Sequence, residues 1–330
     1  MPSQAEWATK MARRYSMAVP ADMARTFEEW VSADGDVTET LYQHVAPDVE
    51  GRERARLATL AMLASEGDRG GFRGRLHVLL YDDDVGGTGK SAIREWVKGA
   101  MPDSRGIGPD SSAVGLKFNA NSGEPGALHK AHQGVLTIEE FGKFEREDRQ
   151  ATYEAMSEGY YEVTKGQVDA EFPASVRVMA LSNDITRLSG PMRSRFDLAV
   201  EMDEYGESET VAVAQQRNET FRDRFVNEDG DHRPPVVPAY LSWIGAFRPD
   251  YPDGAYQTIN QLYEELVAER ETAGDIRAKE AYLRVAYTIA KLNRRDITPG
   301  DWVRAVEIVD PELNAGGLFA EERALLGAAD

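Results

Sequence analysis

Cysteine is absent from the 330 residues, which excludes disulfides, thiolate zinc sites, iron–sulfur clusters and cysteine nucleophiles together. Long apolar runs are absent as well, and no stretch approaches the ~20 consecutive apolar residues of a membrane span. The N-terminus, with Glu6, Arg13 and Arg14, lacks the apolar region of a secretory leader. A soluble, cytoplasmic protein without a membrane partner is expected. Positive charge is scarce. Lysine and arginine total 38 against 57 acidic residues, a net charge of −19, and a field of that sign repels polyanions at ordinary salt. Nucleic-acid binding would therefore need a local basic surface. Only 9 of the 38 basic residues are lysines, and an acidic, lysine-poor, arginine-rich chain suits a high-salt cytoplasm. At molar salt a Debye length of ~3 Å stops net charge from deciding which partners are possible.

With 42% hydrophobic and 29% charged residues, the chain has an ordinary globular balance. Residues 1–37 carry two short helical candidates, around Glu6–Tyr15 and Ala21–Val31, an N-terminal helical extension too small to be a domain. From about 38 to 205, apolar strands alternate with amphipathic helices, the pattern of a parallel α/β sheet. Continuous apolar runs at Leu76–Tyr81, Gly134–Ile138 and Val176–Ser182 read as buried parallel strands. Over 206–310 helical periodicity fills Glu209–Val226, Pro238–Phe247, Tyr256–Arg270, Asp275–Asn293 and Pro299–Val309, with no convincing strand. The expected fold is an α/β core followed by an α-helical lid, with a loose acidic tail over 311–330.

The first chemical signal follows the Leu76–Tyr81 strand. Gly86-Gly87-Thr88-Gly89-Lys90-Ser91 forms a strand-to-helix loop of P-loop type. Its glycines let backbone N–H groups curl towards a phosphate, Lys90 would reach the β/γ-phosphates, and Ser91 would hold Mg²⁺. The preceding Asp82-Asp83-Asp84 is electrostatically awkward beside a phosphate, and Asp84 stands where the motif usually begins with glycine. The second signal is Glu139-Glu140 at the end of the strand from Gly134. One carboxylate there can join the Mg²⁺ shell while the next polarises the water that attacks the γ-phosphate. Acids in a helix first turn are the plainer reading. Third, Asn183 ends the strand from Val176 and would orient that water if the strands are neighbours, although Ser-Asn-Asp also makes an ordinary turn. Finally, Arg193 and Arg195 lie in a loop before an apolar run. Such an arginine serves either a neighbour's γ-phosphate or a surface pair with Asp197 or Glu201.

Taken together, these motifs resemble the minichromosome maintenance (MCM) branch of the AAA+ ATPases over about Leu41 to Val309. The stretch Ile138–Met156 is similar, without a gap, to the family's IDEFDKM..EDR..IHEAM. In the same register Lys165 falls on the lysine of the family's pre-sensor hairpin and Asn183 on its sensor-1 asparagine. Val45–Gly51 resembles IAPSIYG, Arg73-Gly74 the RGD turn, and Ser194–Leu198 the motif SRFDL, which places the finger on Arg195. Arg277, Glu280 and Arg284 follow R-x-L-E-x-x-x-R, which makes Arg277 the sensor-2 candidate.

The resemblance implies an AAA+ P-loop core in a homo-oligomeric, hexameric ring. ATP with Mg²⁺ would lie between subunits, met by Gly86, Gly87, Thr88, Gly89, Lys90, Ser91, Glu139, Glu140 and Asn183 of one copy and by Arg195 and Arg277 of the next. It implies ATP-driven travel on single-stranded or forked DNA in replication, with Lys165 and Lys117 on the DNA and other replication proteins as further partners. Phe118 is the only nearby aromatic for a protein-remodelling pore loop. Departures from the family are Asp84, Glu139 in place of aspartate, and about two extra residues between Leu80 and Lys90. They leave open a weakly hydrolysing or non-hydrolysing ring scaffold that recruits replication proteins. By the same resemblance the family's N-terminal OB-fold with its zinc ribbon is expected to be missing, since 37 residues without cysteine do not hold it. A ring stripped in this way fits a mobile element of a salt-adapted archaeon.

Overall fold

The computed structural model describes residues 19–33, 35–83, 86–101, 103–108, 113–119, 124–165, 168–225, 235–270 and 276–324. The Glu6–Tyr15 helical candidate and Asp84 lie outside them. The chain divides into two compact units, one within Val45–Leu63 and Gly67–Arg233, the other within Met1–His44, Ala64–Glu66 and Pro234–Asp330.

Among the described residues the first unit carries nine strands: β1 (Val78–Tyr81), β2 (Ser104–Ile107), β3 (Phe118–Asn119), β4 (Glu124–Pro125), β5 (Val135–Ile138), β6 (Tyr160–Lys165), β7 (Val168–Pro173), β8 (Arg177–Ser182) and β9 (Leu198–Glu201). Five of them form an all-parallel sheet in the order β2-β5-β8-β1-β9. Parallel neighbours cannot be joined by a tight hairpin, so crossover segments that include the helices Lys90–Ala100 and Arg146–Glu158 link them. The three expected strands are β1, β5 and β8, each beginning one or two residues later than the apolar runs. Before β1 the cause is His77. Its N–H donates to the Asp197 carboxylate at 2.9 Å, and its ring Nδ1 accepts from the N–H of Val178 at 3.1 Å. Side chains therefore replace ladder bonds at this end of the sheet. Strand β2, Ser-Arg-Gly-Ile, exposes Arg105 and Gly106 at the sheet edge and carries almost no strand signal of its own.

Two small antiparallel ribbons complete this unit. In one, β3 pairs with β4; in the other, β6 pairs with β7 from Tyr160 opposite Pro173 to Lys165 opposite Val168. Phe172 joins them, with its ring centroid 5.5 Å from Phe118 and 5.6 Å from Tyr161. Phe118 is buried in this cluster, so the aromatic considered for a protein-remodelling pore loop is a core residue. The Tyr161 hydroxyl donates to the carbonyl of Lys117 at 2.6 Å.

The second unit is helical. It contains Ala21–Ser32, Val236–Ile244, Asp253–Arg270, Ile276–Leu292 and Pro299–Val309, close to the expected spans, whereas the helix Glu207–Phe225 belongs to the first unit. Trp302 is fully buried, with the rings of Tyr263, Tyr282 and Phe319 at 6.5, 6.1 and 6.2 Å. Phe319 is one reason why residues 311–324 are not the loose tail expected. A second is Arg323, whose Nε donates to Glu307 at 2.9 Å. The acidic composition concealed one apolar anchor. Among the described residues no helix is long and apolar enough to cross a membrane.

Arg75 ties the first unit together just before β1. Its guanidinium donates to the carbonyls of Ala155 (2.9 Å) and Met156 (3.3 Å) near the C-terminus of the helix Arg146–Glu158. It also reaches the carbonyl of Val176 (3.0 Å) and both oxygens of Asp68 (2.9 Å). The Ala155 carbonyl also accepts from the Gly159 N–H at 3.1 Å, and the Met156 carbonyl lies 3.2 Å from His77 Nε2, so a single buried fork gives each a second partner. Arg75→Ala is expected to lower the unfolding free energy by about 3 kcal/mol, because it removes the charged hydrogen bonds to three carbonyls and the ion pair with Asp68 at once. Lysine, a point donor without the fork, should restore less than half of that. Urea unfolding of the two variants checks both.

Candidate functional site

The parallel ladder decides which loops meet. Tyr81 pairs with Ser182 across β1 and β8, and Ile138 with Ala180 across β5 and β8. The residues that follow these strands therefore emerge side by side at the C-terminal edge, where open α/β sheets bind ligands. Lys90, Ser91, Glu139, Glu140 and Asn183 all stand on this edge.

After Tyr81 the chain turns through Gly86–Gly89 into the helix Lys90–Ala100. Gly87 has φ +82°, and Gly89, at the N-cap, has φ +95°. A Cβ on Gly89 would also lie 3.0 Å from both the Tyr205 hydroxyl and Val49 Cγ1, so only glycine fits there. The carbonyl of Thr88 is turned outward to the Nε of Arg52 at 3.0 Å, and that guanidinium lies 3.9 Å from the centre of the Tyr205 ring. Ser91 is exposed in the first helical turn.

Lys90 is buried, and its ammonium contacts the Asp82 carboxylate and lies 3.3 Å from the Thr88 hydroxyl. The Thr88 hydroxyl donates to the same carboxylate oxygen at 3.0 Å. Burial pulls the Lys90 ammonium down to about 8, and contact with an anion works the other way. Asp82 is the site residue that motif spacing missed. Its only sequence signal was the run of three aspartates, which assigns no partner to any one of them.

Glu139 donates its N–H to Ile107 at 2.9 Å, and its Oε2 lies 3.6 Å from Arg94 Nη1. Glu140 adopts a left-handed backbone, φ 49° and ψ 46°. Such a conformation is costly for a residue with a Cβ, and residues of this kind concentrate at functional sites. Its Oε1 accepts from Lys143 Nζ at 2.6 Å. Asn183 is exposed just beyond β8.

Arg195 is elsewhere. It precedes β9, whose first residue Leu198 pairs with Val78 at the start of β1, so it sits at the N-terminal edge of the sheet. There its guanidinium donates to the Ser157 hydroxyl and lies 5.7 Å from the Tyr153 ring centre. Arg277 is exposed at the start of the helix Ile276–Leu292 in the second unit. Lys165 is the last residue of β6, opposite Val168, and Lys117 stands half-buried immediately before β3. No group of three metal-ligating side chains occurs among the described residues, and this covers His129 and His132, whose rings stack at 6.5 Å.

Comparison with known proteins bears on the family. The chain is 25% identical over 309 residues to the DNA replication licensing factor mcm-6 of Caenorhabditis briggsae, covering 82% of this chain and 38% of that protein. It is 26% identical over 336 residues to the DNA replication licensing factor MCM7 of Oryza sativa subsp. indica, covering 89% and 45%. With the DNA replication licensing factor mcm7 of Schizosaccharomyces pombe it shares 27% over 324 residues, covering 83% and 41%. The chain thus spans less than half the length of these curated relatives. Residues 25–215, more than half of the chain, match the MCM P-loop domain, and with a parallel P-loop sheet over that span the chain belongs to the MCM family.

Proposed function

We propose that this chain is an ATP-driven DNA helicase or translocase that acts in replication as a homo-oligomeric, six-membered ring on single-stranded or forked DNA. The observation that carries the reading is the division of the candidate groups between the two edges of one sheet. Lys90 and Glu140 stand at the C-terminal edge and Arg195 at the N-terminal edge, about 10 Å apart along a four-residue strand. An arginine so placed serves a second copy's triphosphate rather than its own.

In this reading the Gly86–Gly89 backbone and Lys90 bind the phosphates, Glu140 polarises the attacking water, and Asn183 orients it. Arg195 and Arg277 come from the neighbouring copy. Charge spread over the γ-phosphoryl group is what such donors stabilise. The exposed Ser91 hydroxyl and the partly exposed Glu139 carboxylate fit a hard cation and would hold Mg²⁺, which when bound neutralises charge on the β- and γ-oxygens. Lys165 and Lys117 would meet DNA backbone phosphates, and the replication role rests on the licensing factors that the chain resembles. The acidic, lysine-poor composition supports work at high salt.

One observation favours a second reading, a nucleotide-binding scaffold that recruits replication proteins. The Glu139 carboxylate faces Arg94, a cation that competes with Mg²⁺ for it. ATP hydrolysis at molar salt with single-stranded DNA separates the readings, since a scaffold binds nucleotide and turns over at background. For the helicase, Lys90→Ala and Glu140→Gln are each expected to lower DNA-stimulated hydrolysis about 10²-fold or more. Lys165→Ala should weaken DNA binding with hydrolysis retained. Mixing wild type with Arg195→Ala should make activity fall more steeply than the wild-type fraction; a strictly linear decline would count against catalysis between subunits.

A further inference from the structure

The contact between Lys90 and Asp82 carries an inference that rests on reading this loop as a phosphate site. Asp82 is 1% exposed, and its N–H donates to the carbonyl of Ser182 at 3.2 Å, which anchors its backbone at the end of the sheet. One carboxylate oxygen accepts from both the Lys90 ammonium and the Thr88 hydroxyl. The other, Oδ1, is buried with no hydrogen-bond partner among the described residues. Lys90 is itself 7% exposed, so little water reaches the ammonium to share it between two anions.

A phosphate that approaches Lys90 therefore meets a carboxylate already on the same ammonium. Two anions at one buried cation repel, and a low dielectric strengthens that repulsion. Moving Asp82 away is costly as well, because a carboxylate at this depth would lose the Lys90 and Thr88 donors, its only two among the described residues.

We propose that Asp82 is a resident competitor for the Lys90 ammonium, a positioning residue that holds the lysine and lowers the affinity for nucleoside triphosphate. Asparagine at this position keeps the shape and an acceptor for Thr88 but removes the charge. Lys90 then has only the triphosphate as an anionic partner.

The test is equilibrium binding of a fluorescent N-methylanthraniloyl ATP with Mg²⁺ to the full chain, alongside thermal unfolding to confirm folding. Asp82→Asn is expected to lower Kd at least tenfold. In a Lys90→Met background the same substitution should change Kd less than twofold, a dependence on the amine that a merely structural role would not produce. Asp82→Ala should shift Kd in the same direction, and it decides the matter if the asparagine variant fails to fold. A folded Asp82→Asn or Asp82→Ala chain that binds no more tightly than wild type, while wild type binds and Lys90→Met is weakened, overturns the competitor and leaves the phosphate site standing. If neither wild type nor the Asp82 variants retain the nucleotide at millimolar concentration, the phosphate site itself is refuted, and the competitor with it.

Discussion

Parallel pairing of β1 between β8 and β9 is the constraint on which the rest depends. Strands that run the same way place all their C-terminal ends on one edge, so three loops far apart in the chain meet there without any contact having to draw them together. The same geometry sends the segment before β9 to the other edge. A single topological fact thus gathers Lys90, Glu140 and Asn183 and holds Arg195 apart from them. Side chains at the sheet's N-terminal side, chiefly Arg75, His77 and Asp197, bond the backbone groups of Val176, Val178 and His77 there.

Charge is managed locally in a chain whose net charge is −19. Cations are buried in spite of that excess of acid: Arg75, Lys90 and Arg94 each lie at or below 7% exposure. Each has a carboxylate within ion-pair distance, from Asp68, Asp82 and Glu95 respectively. A buried ion is tolerable only when paired and hydrogen-bonded, so the acid excess supplies counter-ions inside as well as a solvated surface outside. At the P-loop the counter-ion is Asp82, on the ammonium of the motif's own lysine.

Much of the fold was legible in the sequence. The apolar runs at 76–81, 134–138 and 176–182 became adjacent strands, and the helical periods after 236 became helices, because a continuous apolar run or a 3.6-residue period records burial along a single element. The same logic explains the misses. Ser104–Ile107 joins the sheet through backbone bonds to β5 at an edge, where its side chains need not be apolar. Residues 311–330 read as a loose acidic tail, yet within the described part of it Phe319 packs against Trp302. The candidate site divides likewise, since Lys90, Glu139, Glu140 and Asn183 are visible as residue types at strand ends, whereas nothing in their spacing points to Asp82, Arg52 or Tyr205 as neighbours of the loop.

By itself, then, the order of residues determined the P-loop family, the elements and the residue types at the strand ends, since each of these is written within a few consecutive positions. Only the tertiary structure decided that Asp82 pairs with Lys90, that Arg195 lies on the far edge with Ser157 and Tyr153, and that Tyr161 reaches the carbonyl of Lys117. These are contacts between elements. Their geometry comes from strand order and close packing, which no local pattern of hydrophobicity or charge encodes.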